Sequence, residues 1–228
     1  MKHPAIWYFE RFGLLEGLRE DQRTRLERQT TMHSLKRGET VGLGGATGEQ
    51  VYIIKSGAVK VLGRSPDGND VILGVLGPGD LFGELGATGE EPQGHVAQAA
   101  VDSIVCTVPR DVFLKMIAEA PPFALQVTKL MGLRLRRFSS RVEELLGKSA
   151  SARLAHTLLE LARQHGIPDS DGVLIPLRLS QADLGKLVGL TRETVNGILQ
   201  AWRDQGLVVA DRRAIRLRDT ARLQRITS

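Results

Sequence analysis

Cysteine is almost missing from this chain: Cys106 is the only one in 228 residues. A single thiol forms no internal disulfide and cannot supply the four thiolates that an iron–sulfur cluster normally takes. Long apolar runs are missing too, and none approaches the ~18 residues of a membrane span. The opening residues, MKHPAIWYFERF, lack the uncharged stretch and small-residue site of a secretory signal. These absences lead to the expectation of a cytoplasmic protein with no membrane partner. Cys106 sits in the apolar run SIVCTV without a flanking cation, which reads as a small buried hydrophobe. The histidines, at positions 3, 33, 95, 156 and 165, form no H-x-x-x-H pair, so no metal site is expected. His156 falls in an apolar-patterned helix and reads as structural. No Ser/His/Asp arrangement or phosphate-binding P-loop points to an enzyme.

The charge is unevenly placed. Residues 149–228 carry 12 Lys/Arg against 8 Asp/Glu, whereas residues 1–148 carry 19 against 18. A basic final third suits a polyanionic partner, and it equally suits a solvated, mildly basic surface.

Along the chain the texture changes three times. Residues 5–30 place Phe9, Phe12, Leu15, Leu18 and Leu26 at helical spacing, with Gly13 and Gly17 as breaks. Fifteen of the 25 glycines lie between Gly38 and Gly94, separating short apolar runs such as QVYIIKSG, AVKVLG and DVILGVLG. That pattern predicts antiparallel strands in a roll or barrel. From 109 the pattern turns helical. Ala124, Thr128, Met131, Leu135, Phe138, Val142 and Leu145 then hold a 3.5-residue repeat, the seam of a helix that meets its own symmetry mate or packs within the chain. Leu130 and Leu133 lie off that seam and are expected on the roll, with Arg134, Arg136, Arg137 and Arg141 outside. Gly147 reads as a hinge and Ser149 or Ser151 as a cap; IPDSDG reads as a loop, and VLIPLRL as an edge strand because of Pro176.

The most informative stretch is SQADLGKLVGLTRETVNGILQAWRDQG, residues 180–206. Ser180 caps a first helix, Gly189 permits a sharp turn, and Thr191 caps a second helix whose Val195, Ile198, Leu199 and Trp202 face inward. This is the pattern of a helix-turn-helix, and LVVADRRAIRL supplies a wing with Arg212 and Arg213 at its tip, placed for phosphates. In such a unit the start of the second helix enters the major groove. Arg192 would fork onto guanine, Glu193 would accept from cytosine and Asn196 would reach adenine; Ser180, Gln181 and Thr191 join the expected DNA-binding set.

Together the segments IIKSGAVKVL, GPGDLFGELG and LVGLTRETVNGIL resemble the Crp/Fnr superfamily of transcription regulators, which includes the bacterial catabolite activator. The resemblance covers nearly the whole chain. It implies an α+β fold: a cyclic-nucleotide-binding-like antiparallel β-roll with N-terminal helices over 1–120, a dimerisation helix and hinge over 121–147, and a winged helix-turn-helix over 148–228. It also implies a homodimer on an inverted-repeat operator in double-stranded DNA, acting with RNA polymerase through the 164–172 loop. Met131, Leu135, Phe138, Val142 and Leu145 would form the dimer interface.

Two departures stand out. Where the catabolite activator has a second base-reading arginine, this chain has Gly197, so a looser half-site is expected. The effector pocket would use Gly83, Glu84 and Leu85 with Phe138 and Ser139, but the family's phosphate-binding Arg-Ser pair falls on Gly94 and His95. No Lys or Arg occurs in GDLFGELGATGEEPQGHVAQ, and an unpaired buried phosphate is costly. Three readings stay open: a scaffold without ligand, another nucleotide or an apolar molecule on Phe138, or cyclic AMP with His95 as a cation at mildly acidic pH. A different class of function also remains, a nucleotide-sensing module that acts on a protein partner with a vestigial DNA domain.

Overall fold

The computed structural model describes residues 18–42, 50–65, 67–88, 95–210 and 214–227. Phe9, Phe12, Leu15, Gly13 and Gly17 therefore lie outside the described residues, as do Gly94, Arg212 and Arg213. The chain falls into two compact units. The first runs through Gly68 and from Gly74 to Arg137; the second takes residues 69–73 and 138–228.

The first unit is the glycine-punctuated region. Its strands are β1 (Thr31–Leu35), β2 (Thr40–Gly42), β3 (Gln50–Ser56), β4 (Val59–Arg64), β5 (Asp70–Leu76, whose first residues belong to the second unit), β6 (Leu81–Phe82), β7 (Val96–Ala99) and β8 (Ser103–Pro109). They form two four-stranded sheets, ordered β1-β8-β3-β6 and β2-β7-β4-β5, with antiparallel pairing. The apolar run VYII in β3 has a simple cause. Successive strand residues point to opposite faces, and both faces of this sheet are covered. Ile53 packs with Leu26, Leu81, Phe113, Met116 and Phe123, while its neighbour Ile54 packs with Leu35, Val59, Phe82 and Val105. The helices that cover the first of these faces are α1 (Glu20–Gln29), α3 (Arg110–Glu119) and the start of α4 (Pro121–Gly147); the short α2 spans Glu84–Thr88. Phe113 and Phe123 meet edge to face at 5.9 Å, which adds ~0.5–1.5 kcal/mol to their burial. Cys106 is buried, and burial pushes its thiol pKa up.

α4 carries two faces. The one on the core is Phe123, Val127 and Leu130, with Met131 also packed there. Leu133, expected on the roll, is instead 42% exposed. At ~100° per residue it lies ~80° around α4 from Phe123, whereas Leu130 lies ~20° from it. The rest of the predicted seam is open in the single chain: Leu135 is 69% exposed, and Phe138, Val142 and Leu145 are exposed as well.

The second unit begins with the end of α4. Ser149 caps α5 (Ala150–His165) by accepting from the Ala152 amide, and Leu154, Ala155 and Leu158 are fully buried. His156 on α5 places its Nδ1 2.5 Å from Oε1 of the buried Glu144 on α4. A four-stranded antiparallel sheet comes next, ordered β11-β12-β10-β9, from β9 (Ile167–Asp169), β10 (Gly172–Ile175), β11 (Val208–Ala210) and β12 (Ile215–Leu217). Two expectations change here. The IPD of the expected loop is a strand, and β10 is not an edge, because it pairs with β12 on one side and β9 on the other. Pro176 exerts no veto since the ladder ends one residue earlier, at Ile175. The helices α6 (Gln181–Val188), α7 (Arg192–Asp204) and α8 (Thr220–Ile226) complete the unit; the sequence pattern gave no hint of α8.

Candidate nucleic-acid interface

Local chemistry fixes the α6–turn–α7 segment almost residue by residue. Ser180 accepts from the Asp183 amide at 3.0 Å while Asp183 accepts from the Ser180 amide at 2.9 Å, a reciprocal cap that satisfies two orphan donors. Gly189 ends α6 at φ 65°, a left-handed conformation that favours glycine. A Cβ at Gly185 would come within 2.5 Å of the Leu190 carbonyl oxygen, so the turn can close only over glycine there. Thr191 then accepts from the Thr194 amide and starts α7. Val195, Leu199 and Trp202 are buried, and Ile198 is half-buried, so one face of α7 is locked to the unit.

The opposite face is the candidate surface. Arg192, Glu193 and Asn196 are exposed, and Arg192 and Glu193 form no ion pair with each other. Gln181 donates its amide to Asn196 Oδ1 at 2.9 Å, which joins the leading edges of α6 and α7. Gly197 faces open space, since a Cβ there meets nothing within 4 Å. Arg203 donates to the Ala210 carbonyl at 2.9 Å and ties α7 to the wing strand β11. Not every cation of this unit is free for phosphate. Arg216 pairs with Asp169 at 2.7 Å and Arg218 with Asp171 at 2.7 Å. The Asp169 carboxyl is held below its usual range by the backbone amide and hydroxyl of Ser170, with Arg216 adding to the effect. The acidic hairpin over 169–171 thus occupies two of the C-terminal arginines.

The candidate effector residues are more scattered. Gly83 has φ 85°, and a Cβ on it would meet the Gln50 carbonyl oxygen at 2.7 Å. Glu84 opens α2, so GEL is the first turn of a short helix rather than an open loop, and Leu85 is 48% exposed. His95 is half-buried. Phe138 and Ser139 are exposed on α4, in the second unit. A cation does stand at Glu84, but it comes from α4: Arg134 Nη1 donates to Glu84 Oε1 at 2.7 Å, and Nη2 donates to the Leu81 carbonyl. Arg134 and Arg141, expected outside, are both part-buried and bonded. Among the described residues no cluster of His, Cys, Asp or Glu could hold a metal ion, and no helix is long and apolar enough to cross a membrane.

Comparison with known proteins gives this geometry a lineage. The cyclic nucleotide-binding domain family matches residues 32–120, and the Crp-like helix-turn-helix domain family matches residues 152–226. A CRP-like cAMP-activated global transcriptional regulator of Mycobacterium tuberculosis (strain CDC 1551 / Oshkosh) is 31% identical over 215 residues, 94% of this chain and 96% of its own. The chain belongs to the Crp/Fnr superfamily of transcription regulators. A cAMP-activated global transcriptional regulator CRP of Salmonella typhimurium (strain LT2) is 33% identical over 177 residues, 75% of this chain and 81% of its own. Among solved structures, FixK2 from Bradyrhizobium japonicum superposes with a TM-score of 0.74 at 27% identity, covering 87% of this chain and 98% of that one.

For this Crp/Fnr regulator, sequence reasoning missed Arg134. Its partner Glu84 is 50 positions away, and no local spacing links the two helices' side chains. The only available signal was position: a cation one residue before a seam leucine, beside a face that packs on the roll.

Proposed function

We propose that this Crp/Fnr regulator works as a homodimer that reads an inverted-repeat operator in double-stranded DNA and acts with RNA polymerase. The observation that carries the reading is the split surface of α7. Val195, Leu199 and Trp202 hold the helix, while Arg192, Glu193 and Asn196 stand exposed on its first turns. A forked guanidinium and a carboxylate one residue apart offer guanine O6/N7 a donor pair and cytosine N4 an acceptor. Ser180, Gln181 and Thr191, with Arg212 and Arg213 of the wing, would contact the sugar–phosphate backbone. The open seam of Leu135, Phe138, Val142 and Leu145 supports pairing of two α4 helices, with Met131, which also packs on the roll, at its edge. Two half-sites would then lie about one helical turn, ~34 Å, apart.

The effector is a nucleotide in this reading, as the matched domain and the cAMP-activated relatives suggest. Gly83, Glu84, Leu85 and His95 of the first unit would meet it. No arginine stands at Gly94, so affinity for cyclic AMP is weaker than in a pocket that has one.

Selection of bound sequences from random duplex DNA, followed by affinity measurements at several salt concentrations, tests the proposal. The expected result is a two-fold symmetric consensus and a steep fall of affinity with salt. Enrichment of no sequence, with a shallow salt slope, would overturn it.

A further inference from the structure

Arg141 is the least expected arginine in the chain. It lies on α4 one residue before the seam position Val142, yet its guanidinium turns away from the seam. Nη1 donates to the Leu73 carbonyl at 2.6 Å, and Nη2 donates to the Ile72 carbonyl at 3.2 Å and to the Leu187 carbonyl. One side chain therefore joins three elements of the second unit: α4, the strand residues 72–73 and the C-terminal end of α6.

The Leu187 contact matters because it lies just before the turn into α7. Leu187 and Val188 end α6, where unpaired carbonyls and the helix dipole attract cations. Arg141 serves the first of these carbonyls from α4, and Arg153 serves the second from α5, its Nε donating to Val188 O at 3.1 Å. Beside them Leu145 reaches Gly189; a Cβ on that glycine would meet Leu145 Cδ2 at 3.0 Å. Lys186 lies 3.4 Å from Asp70 on the same side. Past the turn there is little slack. The Leu190 amide donates back to Gly185 O at 3.0 Å, and α7 starts at once under its Thr191 cap. The end of α6 and the start of α7 are thus tied together by backbone and cap, so a contact that holds Leu187 against α4 bears on the direction of α7.

We infer that Arg141 is a positioning residue for operator recognition: by clamping the end of α6 to α4 it sets the angle at which each subunit presents α7, and so the half-site spacing that the dimer accepts. This rests on the proposal of a dimer on an inverted repeat. A lysine would not replace it, because the three carbonyls are met by a planar fork with donors on two nitrogens.

The test uses the full-length protein and a set of operators with the selected half-sites intact and the spacer changed by one or two base pairs. Wild-type protein is expected to lose about tenfold or more in affinity for each step away from its preferred spacer, as each step rotates and shifts one half-site. Arg141→Met is expected to narrow that loss to about threefold, with single half-site affinity kept within about twofold. A merely structural role would lower the melting temperature and weaken all spacers alike, leaving their ratio unchanged. An unchanged ratio overturns the inference while the dimer reading stands. Indifference of the wild-type protein to spacing overturns the dimer reading, and the inference with it. If Arg141→Met does not fold, Arg141→Gln, which keeps two donors but no charge, is read on the same ratio: a narrowed loss supports the inference and an unchanged ratio overturns it.

Discussion

The helix-turn-helix and the contacts around Glu84 differ in where their partners lie along the chain. In α6 and α7 the caps and the turn are set by near neighbours in sequence. Ser180 and Asp183 cap each other, Gly185 and Gly189 shape the turn, and Thr191 starts the next helix within eleven residues of Ser180. Around Glu84 the partners come from afar: Gln50 crowds Gly83 from another strand, and Arg134 arrives from α4. A recognition surface carried on one rigid local motif can be read in order along the chain. A charge pair that meets across the fold cannot, because pairing at 50 positions leaves no periodic trace.

The sharpest way to break the comparison is to remove the core beneath the local motif. Trp202 is 4% exposed, and Trp202→Ala should cost ~3–5 kcal/mol. Calorimetry should show the second unit's transition falling steeply and DNA binding lost with it. Next come the exposed residues that carry no packing. Arg192→Ala or Glu193→Ala should leave the melting temperature nearly unchanged and weaken operator binding by ~1–3 kcal/mol, with discrimination relaxed at one base pair per half-site. Uniform weakening on all sequences would assign these side chains to phosphates instead.

The Glu84–Arg134 pair has its own test. Glu84 and Arg134 are 14% and 27% exposed at the side chain, so Arg134→Met leaves a carboxylate unpaired but still partly wetted. A cost of ~1–2 kcal/mol in stability is expected, reduced from the buried-pair value by solvent. Arg134→Met with Glu84→Gln should recover most of it, a coupling that a double-mutant cycle reads directly. Gly189→Ala should lose ~1 kcal/mol or more from its left-handed backbone alone. The smallest effect is expected at Gly197. It lies mid-helix facing open space, so Gly197→Ala should stabilise by up to ~1 kcal/mol while leaving the operator consensus unchanged.

How much was legible follows the same division. Strands β3, β4, β5 and β8 were visible as apolar runs between turn residues, and the capped helices as periodic segments. The two-residue β6 and the short β1 and β2 were not, since two to five residues establish no period. The exposed seam of α4 was legible as a heptad, but its second stripe at Phe123 and Val127 was hidden, because the two patterns overlap on one helix. Arg134 and Arg141 looked like surface charges because sequence spacing shows which face a side chain leaves from, and not where a long flexible arm ends. Arg141 is the clearer case: its pKa is pushed down by burial, with Glu144 acting in the opposite direction.

The operator itself offers the most direct check. Footprinting of the protein on a selected sequence should show two protected half-sites related by a two-fold axis and centred about one helical turn apart, ~34 Å. At the protein concentration that just completes the wild-type footprint, the Arg192→Ala protein should lose protection at both half-sites together. A single asymmetric footprint, or protection that survives in the Arg192→Ala protein on the same bases, would contradict a dimer that reads DNA through α7.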